Sequence, residues 1–400
     1  MKNPIKGEFI LLLLLFLGWD FHGIGHYITF LLFPYILFKN IIKRFIDKES
    51  MWLLFFSALY VIVLFNYPVV WQKFGIGKML SYLLLPFTAY ICGKYILSKN
   101  RHNDQLYLWL LLLALAIGIM PMTSVLHDIF AHGFAGGSRN IVLLNDTGSE
   151  RSATGIDGYL VILASLAGLL VYRSDIKLEK SYKWILILFS MLSIFCILRT
   201  GTRTGIGIIG MSILVVFIYN LKKHNFLFYL LLICSVYVFV VNIMSFLSPF
   251  FSYLTERTSE GNMGSIGNRA PLWNYYFSHL WQYPWGGIPS VFSYTPFAHN
   301  LWLDVGRLTG ILPFILLLTF NFLALRVFNR FIKNRNSPSL YRNVVLIWHV
   351  AIYTVFFVEP VMEGLFSLFV FYCFLVGMQK QSNYIYGSKK LNVKYFKKIA

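Results

Sequence analysis

Seven arginines and one histidine in this chain stand in polar positions around apolar runs: Arg139, Arg151, Arg199, Arg203, Arg257, Arg269, Arg307 and His299. A guanidinium is a rigid fork of donors that stays charged, which suits it to phosphate or pyrophosphate held beside a low-dielectric surface. In 199-RTGTRTG-205 two arginines sit between two apolar runs with almost no linker, so neither is free to wander. Snorkelling at a membrane boundary is the competing role for both Arg199 and Arg203. Arg269 precedes His299 and Asn300 by about thirty residues. A helix beginning near Pro296 or His299 places Asn300, Asp304 and Arg307 on one face, with Asp304 and Arg307 as a local ion pair. A histidine at such a junction can take or give a proton near neutral pH, or simply be hydrogen-bonded. Together these types suit a group transfer in which arginines steady a departing anion and a histidine moves a proton. Aromatics crowd the same stretch, among them Trp273, Tyr275, Tyr276, Trp281, Tyr283, Trp285 and Tyr294. Such rings belong at membrane interfaces, and their flat faces also suit sugars.

The elements that must position these groups are membrane helices. Of 400 residues, 58% are hydrophobic and 13% charged, and mean hydropathy is +0.65, which excludes an ordinary soluble domain. Twelve windows approach the roughly 20 apolar residues needed to cross a bilayer: 8–21, 23–38, 51–67, 79–97, 106–122, 155–172, 184–198, 205–221, 226–247, 306–325, 343–358 and 364–378. The fold class expected is all-α, a polytopic membrane protein with about twelve transmembrane helices and one large periplasmic loop containing short helices. A re-entrant hairpin is the alternative for the first pair. Lys2 and Lys6 precede the first run without a small-residue cleavage site behind it, so a retained helix is expected rather than a signal peptide.

The formal charge of +19 reflects topology here rather than nucleic acid. With Lys2 inside, 26 of the 35 Lys and Arg fall on inside segments, which puts both termini in the cytoplasm. Residues 1–247 then hold helices one to nine with an outside loop at 123–154. Residues 248–305 form the large outside loop, with a short amphipathic helix around 270–282. Residues 306–400 hold the last three helices and a basic cytoplasmic tail. Cys92, Cys196, Cys234 and Cys373 lie in apolar runs without metal-site spacing. There is no phosphate-binding glycine loop, no HExxH and no nucleophile elbow, so neither metal nor cofactor is expected.

Thr202-Arg203-Thr204-Gly205 opening an apolar helix, Asn268-Arg269-Ala270-Pro271-Leu272-Trp273, Tyr283-Pro284-Trp285-Gly286-Gly287, His299-Asn300-Leu301-Trp302-Leu303, and Gly306 through Gly310-Ile311-Leu312 follow in order. In that order they resemble the signature of the O-antigen polymerase and O-antigen ligase family, over roughly residues 195–320. Residues 151-RSATGIDGYLVIL-163 are similar to a polar patch opening a family helix. The resemblance implies a metal-independent glycosyltransferase of the bacterial inner membrane. Its donor would be undecaprenyl-pyrophosphate-linked glycan on the periplasmic side, and a chain-length regulator and a flippase would be partners. It implies pyrophosphate binding by Arg203 and Arg269 and proton transfer by His299. Arg199, Arg151, Asn300, Trp273 and Tyr276 are the further substrate-binding candidates. The compact interval from Arg269 to His299 favours polymerase over ligase, which tends to carry a longer arm there. A flippase or carrier is the reading from another class. It calls for paired repeats and mid-membrane charges, for which Lys94 and His349 are the main candidates.

Overall fold

The computed structural model describes residues 33, 41–66, 68–99, 103–134, 140–144, 150–174, 176–220, 266–292 and 295–387, without the side chains of 68–74, 99, 203 and 266–268. Among these, thirteen α-helices carry the fold: α1 Ile41–Phe45, α2 Lys48–Phe65, α3 Pro68–Lys99, α4 Asn103–His132, α5 Ala153–Ala164, α6 Lys177–Thr200, α7 Arg203–Asn220, α8 Ile266–His279, α9 Leu301–Thr309, α10 Ile311–Lys333, α11 Ser339–Val358, α12 Val361–Gly364 and α13 Phe366–Gly387. A 3₁₀ segment, Ser165–Val171, continues α5. Seven stretches are long and apolar enough to cross a membrane: 48–65, 75–98, 103–132, 153–171, 177–200, 311–333 and 339–358. The windows at 8–21, 23–38 (Phe33 apart) and 226–247 lie outside the described residues.

The differences from the sequence expectation have local causes. The tenth window does not begin at 306, because Gly310 (φ 82°, ψ −170°) breaks the chain between α9 and α10, and the apolar helix starts at Ile311. The window at 364–378 becomes α13, which is buried along most of its length and ends in a polar turn. The stretch 123–154 is not all loop: α4 runs on through Pro121 to His132, and a two-stranded antiparallel ribbon follows, β1 Asn140–Val142 and β2 Glu150–Ser152.

α13 makes its main contact with α3. A methyl group added to Gly93 would meet the Phe374 carbonyl, and one added to Gly377 would meet the Tyr90 carbonyl. Small residues on both partners thus let the backbones touch, the packing that stands in for the hydrophobic effect between helices in lipid. Gly377→Val is therefore expected to lower the melting temperature of the purified protein markedly, since main chain cannot yield to the added side chain. A wild-type melting temperature for Gly377→Val would contradict this packing.

One end of the bundle is held by buried ionic and hydroxyl clusters. Asp47 caps α2 in a capping box with Ser50 and pairs with Lys94, which also donates to the Phe45 carbonyl. Lys94 is thus part of a local anchor. Glu179 accepts from Tyr107 (2.6 Å), Tyr172 (2.6 Å), Ser174 (2.7 Å) and Ser339 (2.9 Å), joining α4, α6 and α11. His349 is buried mid-helix, stacked on Phe328 at 4.1 Å with Nδ1 on the Val345 carbonyl. Its surroundings are those of a packed core histidine. The opposite end gathers the candidate residues.

Candidate active site

The scaffold of the site is α8, the loop behind it, and α9. α8 packs Leu272 and Tyr276 into a satellite core with Leu280, Ile288 and Ala298. The turn Tyr283–Gly287 seats against the α9–α10 break: Gly287 and Ile288 donate to the Arg307 carbonyl (2.8 and 3.1 Å), and Ile311 donates to the Pro284 carbonyl (3.0 Å). Gly286 (φ 89°) and Gly310 (φ 82°) have positive φ, and a side chain on either would strike the other segment's backbone. This explains why two glycine-bearing motifs far apart in sequence belong to one structure.

Within that frame the backbone around His299 is tightly fixed. His299 has φ 52°, and it is the one non-glycine residue with positive φ among those described. Such a conformation persists when its surroundings enforce it. Asp304 is what enforces it: Oδ1 accepts from the Ala298 N–H (2.8 Å) and Oδ2 from the Asn300 N–H (3.1 Å), so one carboxylate grips the chain on both sides of the histidine. Asn300 caps α9 by accepting from the Leu303 N–H (3.2 Å). The expected Asp304–Arg307 pair is present (3.4 Å), and Arg307 also pairs with Glu363. Burial opposes the Arg307 cation, yet Glu363 and Asp304 hold its pKa above the ordinary arginine value. Burial pushes the Asp304 carboxyl upward, against the pull of Arg307 and the two backbone donors.

Arg269 and His299 meet at a residue the motif reading did not include. Glu359, just past the end of α11, lies with Oε1 3.5 Å from Arg269 Nη2 and Oε2 3.7 Å from His299 Nδ1. Arg269 Nη1 donates to the Val358 carbonyl. His299 Nε2 faces Thr295 Oγ1 at 3.2 Å, while Nδ1 is buried without a hydrogen-bond partner. Glu359 also lines a small cleft, open to solvent, together with Thr154, Asp157, Thr202, Thr204 and Gly205. The start of α7, at Thr202, Thr204 and Gly205, therefore borders the same cleft as the carboxylate that links Arg269 and His299. Gly201 (φ 64°) ends α6 in a left-handed turn, which permits the two-residue reversal into α7. Asp157 pins that reversal to α5 by accepting from the Thr200 hydroxyl (2.9 and 3.0 Å) and from Thr202.

The other candidates fare differently. Arg199 is buried in an ion pair with Asp128 (2.8 Å), whose second oxygen meets His132 (3.0 Å), so it ties α6 to α4 rather than facing the cleft. Arg151 lies half-buried on β2, opposite Ile141. Trp273 and Tyr276 spend their polar ends on the loop that carries His299, donating to the carbonyls of Ala298 and Pro296 (3.0 Å each), and Tyr276 is buried. Trp281, Tyr283 and Trp285 stand exposed, the two tryptophans most, at 67% and 73%. Asn300 is occupied as a helix cap. The Arg203 and Asn268 side chains, Arg139, Arg257 and Tyr294 lie outside the described atoms. Among the described residues no group of three or more His, Cys, Asp or Glu could hold a metal ion. In comparison with known proteins, no family model matches the chain and no curated protein matches it.

Proposed function

We propose that the protein is a membrane polysaccharide polymerase, joining undecaprenyl-pyrophosphate-linked oligosaccharide units at the periplasmic face of the bacterial inner membrane. What supports this reading is Glu359, whose two oxygens meet Arg269 and His299 and which also lines the cleft at the start of α7, at one end of a bundle of apolar helices. Arg269, His299 and the start of α7 form the ordered motifs of the O-antigen polymerase and ligase resemblance. The twelve-span arrangement with cytoplasmic termini belongs to this proposal and is supported by the charge asymmetry of the sequence.

In the reaction, an acceptor sugar hydroxyl attacks the anomeric carbon of a lipid-linked glycan. Its oxygen forms the new glycosidic bond, the bond from that carbon to the pyrophosphate oxygen breaks, and the hydroxyl proton passes to His299. The electron pair of the broken bond leaves with undecaprenyl pyrophosphate, where Arg269 and Arg203 stabilise the charge that develops. The start of α7 lines the cleft, and a helix N-terminus favours an anion beside it. Energy comes from the pyrophosphate linkage, so no nucleotide is consumed.

A ligase passing the finished glycan to lipid A-core uses the same bond changes. The glycan of a deletion strain separates the two. Loss of a polymerase leaves one repeat unit on lipid A-core. Loss of a ligase leaves lipid A-core bare while lipid-linked polymer accumulates, and a flippase defect would leave no periplasmic polymer at all. An unchanged ladder of repeats in the deletion strain would dismiss the proposal.

A further inference from the structure

Glu359 is placed to do more than fill the gap between two cations. α11 ends here because the Glu359 backbone turns extended (φ −135°, ψ 153°) and Pro360 follows. The side chain is 7% exposed, and its two oxygens point at different partners, Arg269 at 3.5 Å and His299 at 3.7 Å. Neither distance is that of a short charge-assisted hydrogen bond, normally about 2.7–2.9 Å. The other carboxylates around the histidine are committed. Asp304 grips two backbone N–H groups and meets Arg307, Glu363 pairs with Arg307, and Asp157 holds Thr200 and Thr202. Phe297 lies edge-on to the imidazole, and Thr295 takes its other nitrogen. Glu359 is thus the carboxylate with freedom to choose, and His299 Nδ1 is a buried polar atom that lacks a partner.

We propose that Glu359 is a positioning residue that exchanges partners when pyrophosphate arrives. While the cleft is empty it neutralises Arg269. A pyrophosphate group carries more charge and more acceptor oxygens than one carboxylate, so it takes the Arg269 fork. The released carboxylate then sits in a desolvated place where it must find another donor. Closing onto His299 Nδ1 requires a movement of only about 1 Å to reach hydrogen-bond length. That bond orients the imidazole and leaves Nε2 to accept the proton of the acceptor hydroxyl in place of Thr295. Donor binding and readiness of the base thereby become one event, and the exchange rests on the pyrophosphate role of Arg269 proposed above.

The exchange predicts effects of opposite sign on binding and on turnover. Glu359→Gln keeps the shape but removes the competitor for Arg269. Inorganic pyrophosphate, titrated calorimetrically into the purified full chain, is expected to bind at least threefold more tightly than to wild type. Polymer formation from lipid-linked repeat units is expected to fall at least tenfold in kcat, with KM unchanged or lower. A carboxylate that merely holds the fold would weaken both. Glu359→Asp keeps the charge one methylene short of the histidine, so it should bind pyrophosphate about as wild type does and still lose kcat. That variant decides the matter if Glu359→Gln fails to fold. Weaker pyrophosphate binding by a folded Glu359→Gln, or wild-type kcat in either variant, overturns the exchange while leaving the role of Arg269 intact. If wild type binds no pyrophosphate, or Arg269→Ala binds it equally well, the pyrophosphate reading itself falls and the exchange falls with it.

Discussion

Replacing Arg269 with alanine is expected to abolish chain extension, lowering turnover by about two to three orders of magnitude, on the scale of removing one preorganised donor to a developing anion, roughly 2–4 kcal/mol. The substitution has a second consequence that must be separated from the first. Glu359 would be left buried without its arginine, and an uncompensated buried carboxylate strongly destabilises a fold. The informative variant is therefore Arg269→Ala combined with Glu359→Gln, which removes both charges together. If Arg269 serves the fold alone, the pair should recover stability and make as much polymer as Glu359→Gln alone. If it binds pyrophosphate, the pair should recover melting temperature but make far less polymer than Glu359→Gln alone. Arg269→Lys is expected to recover only part of the activity, because a point charge cannot reproduce a fork that reaches the Val358 carbonyl and Glu359 together. Polymer length on a gel, measured beside expression level and melting temperature, checks all three variants. Wild-type polymer from a well-expressed Arg269→Ala strain would remove the arginine from the mechanism.

Much of this arrangement was legible because membrane helices and interfacial charges leave plain marks in a sequence. The windows between residues 51 and 221 overlap helices among the described residues, as does the window at 343–358, and the amphipathic stretch around 270–282 overlaps α8. What hydropathy could not show is a break without a polar linker. Gly310 splits α9 from α10 within an apolar run, because the Tyr283–Gly287 turn must press against it. The roles of Trp273 and Tyr276 were hidden for a related reason. Aromatic residues on an outer loop look alike in composition whether they face a ligand or brace the loop, and only their polar ends, turned to Ala298 and Pro296, tell the two apart.

The site was half legible. Arg269, His299, Asp304 and Arg307 were singled out from charge type and spacing, and the structure brings them together. Glu359 and Glu363 belong to no motif, so nothing in the arginine pattern points to them. Yet two carboxylates in the five residues between the windows ending at 358 and beginning at 364 were a signal, since a basic cluster at low dielectric requires counter-charges. Arg199 shows the opposite case. Four residues from Arg203 and alike in sequence context, it leans back along α6 to Asp128, some seventy residues earlier in the chain, and no local pattern encodes that pairing.

For His299 the decisive substitution is asparagine rather than alanine. The residue holds φ 52°, a region that asparagine tolerates and alanine does not, so alanine would add about 1 kcal/mol or more of backbone strain to whatever chemistry it removes. Asparagine keeps the turn and places an amide near the Nδ1 position, short of Thr295, yet it cannot take a proton near neutral pH. If His299 is the general base, His299→Asn should lower turnover about 10²–10⁴-fold while lipid-linked donor binds as before. If the histidine only shapes the loop, the asparagine variant should work nearly as well as wild type. His299→Gln retains an amide at greater reach but not the tolerance of positive φ, so low activity from it alone would not distinguish the two roles. Asp304→Asn supplies the comparison. It keeps one acceptor for the Ala298 and Asn300 N–H groups and loses the charge beside Arg307, so it should loosen the turn and cost less than His299→Asn. The measurement is polymer formation from purified lipid-linked repeat units, with chelator present and donor binding followed in parallel. Near-normal turnover of His299→Asn would reduce the residue to a structural part, and activity that vanishes in chelator and returns with a divalent ion would overturn the metal-free transfer.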